Sequence, residues 1–237
     1  MARGHPDYIK SVGYTPEGLF LEEYAIPPIW FQDDFESPVN KWWCGLGACA
    51  IVNSAVVGAR TFYPYNGSGM FVIESAVGGE GRAQRTIGTF PLTTHIGVSN
   101  NFCLCDEDLY EDAVPSLVLI DLDFYTGTYR FNMVITYNPR DYNWYYGDGA
   151  VGPYVFMFNL RIQEFYWHYV KLIFDPINHQ FQSFQIDHYI HDLKGINYYH
   201  ILNATPAGCN LGIRCFGDVA KSAVVLIDDY KLTYGES

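Results

Sequence analysis

The feature of this sequence that most constrains its fold is a series of short segments in which apolar and polar residues alternate. About ten such segments follow residue 30, and clusters of Gly, Asn, Pro or Ser separate them. Alternation with a period of two is typical of β-strands, and no segment sustains the 3.6-residue period and the two caps of a helix. The pattern predicts an all-β fold of two antiparallel sheets packed as a β-sandwich.

Composition and net charge limit the kinds of molecule that this protein is expected to bind. Aromatic residues make up 17% of the 237 residues, which suits strands, and the length allows one domain over residues 31–237. The formal net charge is −12, and no run of Lys or Arg occurs, so a nucleic acid or an anionic membrane surface is not an expected partner. No apolar stretch approaches the roughly 18 residues of a membrane-spanning helix.

Residues 1–30 differ from the rest of the chain. Four prolines interrupt them and no period is sustained, yet Tyr, Leu, Phe and Trp are scattered along them. A free polar linker would not carry these side chains, so we expect an arm that packs either on its own domain or on another subunit. The first residues also lack the apolar core of a secretory signal peptide, and we expect none.

The six cysteines allow 15 full pairings. The local candidates for disulfides are Cys44 with Cys49, across the segment GLGA, and Cys209 with Cys215. Cys103 and Cys105 would lie on one face of a strand and are not expected to pair with each other. The alternatives are six free thiols and a zinc cluster, although no pair of CxxC motifs supports zinc.

Residues 167–187, WHYVKLIFDPINHQFQSFQID, resemble the laminin-G and concanavalin A-like sandwich group. The resemblance rests on a Trp-His-x-Val-x-Leu strand, on an Asp at the turn, and on an amphipathic strand that ends in Asp; these are Trp167, His168, Val170, Leu172, Asp175 and Asp187. The opening DDFE at 33–36 and the closing IDDYKL at 227–232 are similar to the frame of many carbohydrate-binding sandwiches. The resemblance implies a jelly-roll sandwich more strongly than it implies any activity.

The same resemblance implies a structural calcium ion. In many sandwiches of this type the acids of the first and last strands share Ca²⁺, which takes six to eight oxygen ligands. The matching positions here are Asp33, Asp34, Glu36, Asp228 and Asp229. The alternative is that these acids lie at a solvated sheet edge, where charge discourages aggregation.

A polar and aromatic loop is the first candidate for a carbohydrate-binding site. Sugars dock their apolar faces on aromatic rings while a few polar groups fix their orientation. The candidate residues are Tyr142, Asn143, Trp144, Tyr145, Tyr146 and Asp148, and Trp42 with Trp43 form a second candidate. The alternative is that these rings cover the edge of the core or fill a subunit interface.

Asp121 and Asp123 are the candidate pair for glycoside hydrolysis. They stand two residues apart in LIDLDFY and therefore lie on one face of one strand. Glucanases of the concanavalin A-like group use a Glu-x-Asp-x-x-Glu run, and this chain lacks both glutamates. We therefore expect no enzymatic activity, and a divergent glycoside hydrolase is the weakest alternative.

These observations favour a non-enzymatic structural or binding module. We expect it to be a component of an assembled surface, either a virion or a cell-surface layer, with subunit contacts through the N-terminal arm and the aromatic faces. The expected partners are copies of itself or other structural subunits. The main alternative is a lectin-like carbohydrate-binding module whose partners are glycans.

Overall fold

The computed structural model describes residues 29–37, 41–57, 59–88, 95–105, 117–147 and 154–236, and these contain eighteen β-strands and no helix. The strands are β1 (Ile29–Asp33), β2 (Trp43–Leu46), β3 (Ala48–Val52), β4 (Ala55–Val57), β5 (Arg60–Phe62), β6 (Met70–Glu74), β7 (Glu80–Ile87), β8 (Ile96–Leu104), β9 (Leu117–Tyr125), β10 (Tyr129–Asn138), β11 (Asn143–Gly147), β12 (Tyr154–Asn159), β13 (Trp167–Asp175), β14 (Gln180–Ile186), β15 (Tyr189–Asp192), β16 (Tyr199–Leu202), β17 (Gly208–Phe216) and β18 (Val224–Tyr234). Most of the predicted arm lies outside the described residues. In the described ranges, no helix is long and apolar enough to cross a membrane.

Two antiparallel sheets of eight strands each form the sandwich. The first sheet has the order β15-β14-β13-β8-β18-β6-β3, with β1 paired to β18. The second sheet has the order β12-β11-β10-β9-β17-β7-β2, with β16 paired to β10. The predicted all-β, two-sheet antiparallel sandwich is confirmed.

Aromatic side chains fill the interior between the two sheets. In β13 the alternation places Val170, Leu172 and Phe174 in the core, as the sequence pattern predicts. From the second sheet, the ring of Phe124 stacks on that of Phe131 with 4.5 Å between centroids, and it reaches Phe174 across the interior at 6.0 Å. Burial of such rings removes the largest apolar areas from water and stabilises the contact between the sheets.

The outer face of the first sheet carries a second, smaller apolar cluster. The hairpin of β4 and β5 packs over it and buries side chains that point away from the main core: Phe62, Met70, Cys103, Cys105, Val224 and Leu226. Trp167 beside this cluster donates from Nε1 to the backbone oxygen of Tyr63 at 3.0 Å. The hairpin thus excludes water from a sheet face that would otherwise expose apolar side chains.

One disulfide joins the edges of the two sheets. Cys44 in β2 of the second sheet is bonded to Cys49 in β3 of the first, with 6.0 Å between their Cα atoms, which confirms that predicted pairing. The predicted bond between Cys209 and Cys215 is wrong, because both thiols are free. These two residues are six apart in one extended strand, β17, and thus about 20 Å apart at 3.3 Å per residue, far beyond the span of a disulfide.

Candidate functional site

The outer face of the second sheet carries a row of side chains that runs across all seven strands of its main path. Strand register aligns the row as Trp43, Gln84, Gly212, Asp121, Val134, Gly147 and Tyr154. Their chain neighbours, such as Ala83, Leu122 and Ile135, point into the core. We call this surface, with the outward side chains beside the row, the polar face.

Two ion pairs and an asparagine form the centre of the polar face. Asp121 pairs with Arg214, with 3.1 Å between Oδ2 and Nε. Asp123 accepts two hydrogen bonds from Arg130, each of 3.0 Å, in a fork that fixes both side chains. Asn132 donates from Nδ2 to Asp123 at 3.0 Å and to Asp121 at 3.5 Å. The result is a connected floor of hydrogen-bond donors and acceptors, built from Asp, Arg and Asn side chains on three neighbouring strands rather than from one loop.

Asp121 lies deepest in this floor, with 7% of the residue exposed. Burial raises the pKa of its carboxyl group, and the positive charge of Arg214 opposes that shift. Glycine stands opposite Asp121 in β17, where a Cβ at position 212 would lie 3.2 Å from the Asp121 Cβ. Gly212 therefore leaves the space that the carboxylate and its guanidinium partner occupy.

Aromatic rings flank the floor on both sides. Trp43 at the β2 edge is 64% exposed, and Phe156 at the β12 edge is 53% exposed. Tyr154 lies over Gly147, where a Cβ would stand 3.7 Å from the tyrosine Cε1. Tyr145 contacts Phe156 edge-on, with 6.1 Å between the ring centroids. Paired charges and amides between exposed rings are suited to a ligand with both hydroxyl groups and apolar C–H faces.

The structure divides the predicted sugar-binding loop between the two faces of β11. Trp144 is 0% exposed and donates from Nε1 to the backbone oxygen of Leu160 at 3.1 Å, so its predicted contact with a ligand is wrong. Tyr146 also turns inward and packs on Phe181 at 5.5 Å. Alternation along β11 therefore leaves Tyr145 as the ring that reaches the polar face.

The remaining candidates separate in the same way. Tyr142 lies in the turn before β11, and its ring packs against the core. Asn143 is the first residue of β11. Asp148 lies outside the described residues. In the second candidate pair, Trp42 is buried in the core while Trp43 is exposed on the polar face. Trp43 therefore stays a predicted ligand contact, and Trp42 does not.

The N-terminal acids of the predicted calcium set have other partners. Asp33 accepts a hydrogen bond from Nε1 of Trp42 at 3.1 Å and forms an ion pair with Arg85. Asp34 accepts from the backbone N–H of Glu36 at 3.3 Å. The Glu36 carboxylate accepts from the hydroxyl and N–H of Ser68, and these bonds lower its pKa.

The two C-terminal acids of the set are adjacent in sequence, and they do not converge with the N-terminal acids on a common point. Asp228 is buried and accepts from the N–H of Asn66 at 2.8 Å, and burial raises its pKa to about 7. Asp229 stands 3.5 Å from the ammonium group of Lys231. In the described ranges no three His, Cys, Asp or Glu side chains converge as metal ligands. The donor set that the resemblance implies is therefore not assembled here, and calcium binding stays a prediction.

Sequence reasoning placed Asp121 and Asp123 on one strand face but missed their partners. Arg130 and Asn132 come from β10, and Arg214 comes from β17, far along the chain. The sequence does show polar residues at alternate positions of these strands. That pattern indicates one polar face on each strand, but it does not show which strands lie side by side.

Comparisons with known proteins identify the fold. No family model matches the chain, and no curated protein sequence matches it. The carbohydrate esterase vb_24B_21 from the Shiga toxin-encoding bacteriophage phi24B superposes with a TM-score of 0.53 at 13% identity, over 81% of this chain and 88% of that one.

Two further solved structures are similar at lower scores. The potassium-bound carbohydrate recognition domain of Emp46p gives a TM-score of 0.47 at 11% identity, over 80% of this chain and 89% of that one. The carbohydrate-binding module CBM66 from Bacillus subtilis gives 0.45 at 6% identity, over 81% and 95%. At these identities the likeness is one of fold. The chain shares a two-sheet β-sandwich fold with the phage esterase, and membership of the concanavalin A-like group that the sequence resembles stays a prediction.

Proposed function

We propose that this protein is a carbohydrate-binding β-sandwich whose ligand lies on the polar face between Trp43 and Tyr154. The observation that carries the proposal is the combination of a fixed, charge-paired floor with exposed aromatic rings on either side of it. Hydroxyl groups of a sugar can both donate to carboxylates and accept from guanidinium and amide groups, while its C–H faces pack on rings.

The charge of the polar face favours a neutral glycan. Three guanidinium groups are balanced by three carboxylates, and these side chains are Arg82, Arg130, Arg214, Glu80, Asp121 and Asp123. Because the acids and bases largely neutralise one another, recognition depends on the geometry of hydrogen bonds rather than on net charge.

We also propose that the polar face binds without cleaving its ligand. Glycoside hydrolysis requires one carboxyl group to donate a proton and a second to act as nucleophile or base. Asp121 and Asp123 are instead each paired with an arginine, at 3.1 Å and 2.9 Å. A role in a virion or cell-surface layer stays a prediction, since it depends on residues 1–30, most of which lie outside the described ranges.

A glycan array followed by calorimetric titration of the best ligand tests the proposal. We expect Trp43→Ala to weaken binding about 10-fold or more, because the ligand would lose the contact with the ring and the apolar area that the ring buries. The matched control is Tyr166→Ala, which removes a ring that is 56% exposed and lies beside β13 of the first sheet. A broad array with no ligand, or equal losses in the two variants, would contradict the proposal.

A further inference from the structure

A cavity of about 380 Å³ lies at one end of the sandwich, apart from the polar face. The turn between β9 and β10 and the turn between β13 and β14 border it on the open surface, and its lining consists of Thr126, Thr128, Tyr129, Phe131, Pro176, Ile177 and His179. The Phe131 side chain belongs to the core side of β10, opposite to the outward Arg130 and Asn132. The volume lies within the range of small-molecule sites.

One histidine lines this cavity, and a second lies beside it. The ring of His179 lies 4.7 Å from that of Phe131 and 4.9 Å from that of His200, which β16 places beside Phe131. Within the described residues, neither imidazole forms a side-chain hydrogen bond or an ion pair. His179 has φ +57°, a left-handed conformation in which Asn, Asp and His are the enriched residues after Gly.

The cavity lining contains no carboxylate, although the chain has 26 Asp and Glu residues. The Asp175 carboxylate acts on His179 from outside the lining. It already accepts three hydrogen bonds, from the N–H of Ile177 and from the N–H and side-chain amide of Asn178, at 2.7–3.0 Å. The other titratable groups beside the pair are the phenols of Tyr129 and Tyr198.

Burial and the neighbouring His200 both lower the pKa of His179, and the Asp175 carboxylate only partly opposes that shift. A positive charge on His200 therefore opposes protonation of His179. An anion that contacts the edges of both rings would counter that opposition, because an opposite charge at short range favours the protonated form.

We propose that this cavity is a second ligand site, for a small organic acid. Its apolar body would lie against Phe131, Pro176 and Ile177, and its carboxylate would pair with His179 and His200. Binding of the anion and uptake of protons are then linked, so that the affinity rises as the pH falls. The site is independent of glycan binding on the polar face.

Titration of the full chain with benzoate tests this site, with the histidine ring signals followed by NMR at about pH 5.5 and about pH 8, on either side of the usual histidine pKa. We expect benzoate to bind about 10-fold more tightly at the lower pH, and to shift the signals of both His179 and His200. Benzyl alcohol, which has the same ring and no charge, should show no such pH dependence.

Two variants and a control complete the test. His179→Asn keeps a residue that tolerates the left-handed conformation, and it should weaken binding at the lower pH and reduce the pH dependence, because only His200 remains. Ile177→Trp fills the cavity from an exposed position while both imidazoles remain, and it should abolish binding. The control His191→Asn removes a ring that packs on Phe158 at 4.9 Å, away from the cavity, and should bind benzoate as the wild type does.

Three outcomes would overturn the proposal. Equal affinities for benzoate and benzyl alcohol at both pH values would remove the role of the carboxylate. An unchanged pH dependence in His179→Asn would remove the role of the imidazole pair. Shifts of both histidine signals with Zn²⁺ but not with benzoate would assign the pair to a metal ion instead.

Discussion

The outer faces of the two sheets differ, although the same alternation of side chains produces both. The outer face of the first sheet has apolar residues such as Cys103 and Leu226, and the β4–β5 hairpin covers them. The outer face of the second sheet has charged and amide side chains instead, and most of those between the exposed Trp43 and the half-buried Tyr154 are themselves buried or half-buried, with Asp121 and Asn132 buried.

The difference shows what each kind of outer face requires. An apolar outer face needs a second layer of chain to exclude water, whereas a polar outer face is stable only if its buried acids are paired. Asp121 illustrates the second case, since it is nearly as buried as a core residue and depends on Arg214. Replacements on each face therefore test whether the hairpin stabilises the apolar face and the ion pairs stabilise the polar face.

Removal of the Asp121 carboxylate should have the largest effect on stability. Asp121→Leu leaves Arg214 without its partner on a largely buried face, and loss of one member of a buried ion pair costs about 3–5 kcal/mol. Urea denaturation of the wild type and the variant measures the loss in the free energy of unfolding.

The double variant Asp121→Leu with Arg214→Met is the control for this prediction. Replacement of both partners by apolar residues leaves no uncompensated charge, so most of the lost stability should return. A double variant that is as unstable as Asp121→Leu would show that packing above Gly212, and not the unpaired guanidinium, causes the loss.

Leu226→Ala tests the covered face and should have the next largest effect. Leu226 is fully buried beneath the hairpin, and truncation of a buried leucine costs about 2–5 kcal/mol because of the cavity that remains. The control Val56→Ala alters an exposed residue of the same hairpin and should change the free energy of unfolding by less than about 0.5 kcal/mol. Similar values for the two variants would mean that the hairpin does not seal this face.

The sequence was sufficient to predict the sandwich, the shared strand face of Asp121 and Asp123, and the Cys44–Cys49 bond. Each of these depends on periodicity or on residues close in sequence. The burial of Trp144 was not predictable, because alternation defines two faces without showing which of them points into the core. The partnership of Asp121 with Arg214 depends on β17 lying next to β9, a pairing between strands distant in sequence that no local pattern contains.

His168 provides a pH-dependent test on the first sheet. Its two ring nitrogens each lie 2.7 Å from an oxygen, one of the Asp187 carboxylate and one of the Gln163 backbone, so the protonated ring can donate to both. Burial alone would lower the pKa of His168, but the hydrogen bonds with Asp187 and Gln163 raise it above its usual value.

A raised pKa in the folded state means that the stabilisation is complete below the unfolded pKa of about 6.5 and is lost as the pH rises through the folded value. His168→Gln removes this titration. We therefore expect the difference in unfolding free energy between wild type and variant to be larger at pH 6 than at pH 9. Asp228 titrates near pH 7 in both proteins and cancels in the difference. A difference that is constant with pH would show that the ring acts only by packing on Phe102.

Trp43→Ala should have the smallest effect on stability and yet a large effect on ligand binding. The ring is mostly exposed, so its removal should change the unfolding free energy by less than about 0.5 kcal/mol. It lies at the open edge of the polar face and shares no contact with the Asp121–Arg214 pair, so the floor should stay intact. A variant that keeps wild-type stability but loses the glycan would separate the two roles of this face, stability from its paired charges and recognition from its exposed rings. If stability and binding fell together, the rings would belong to the structure of the sheet rather than to a ligand site.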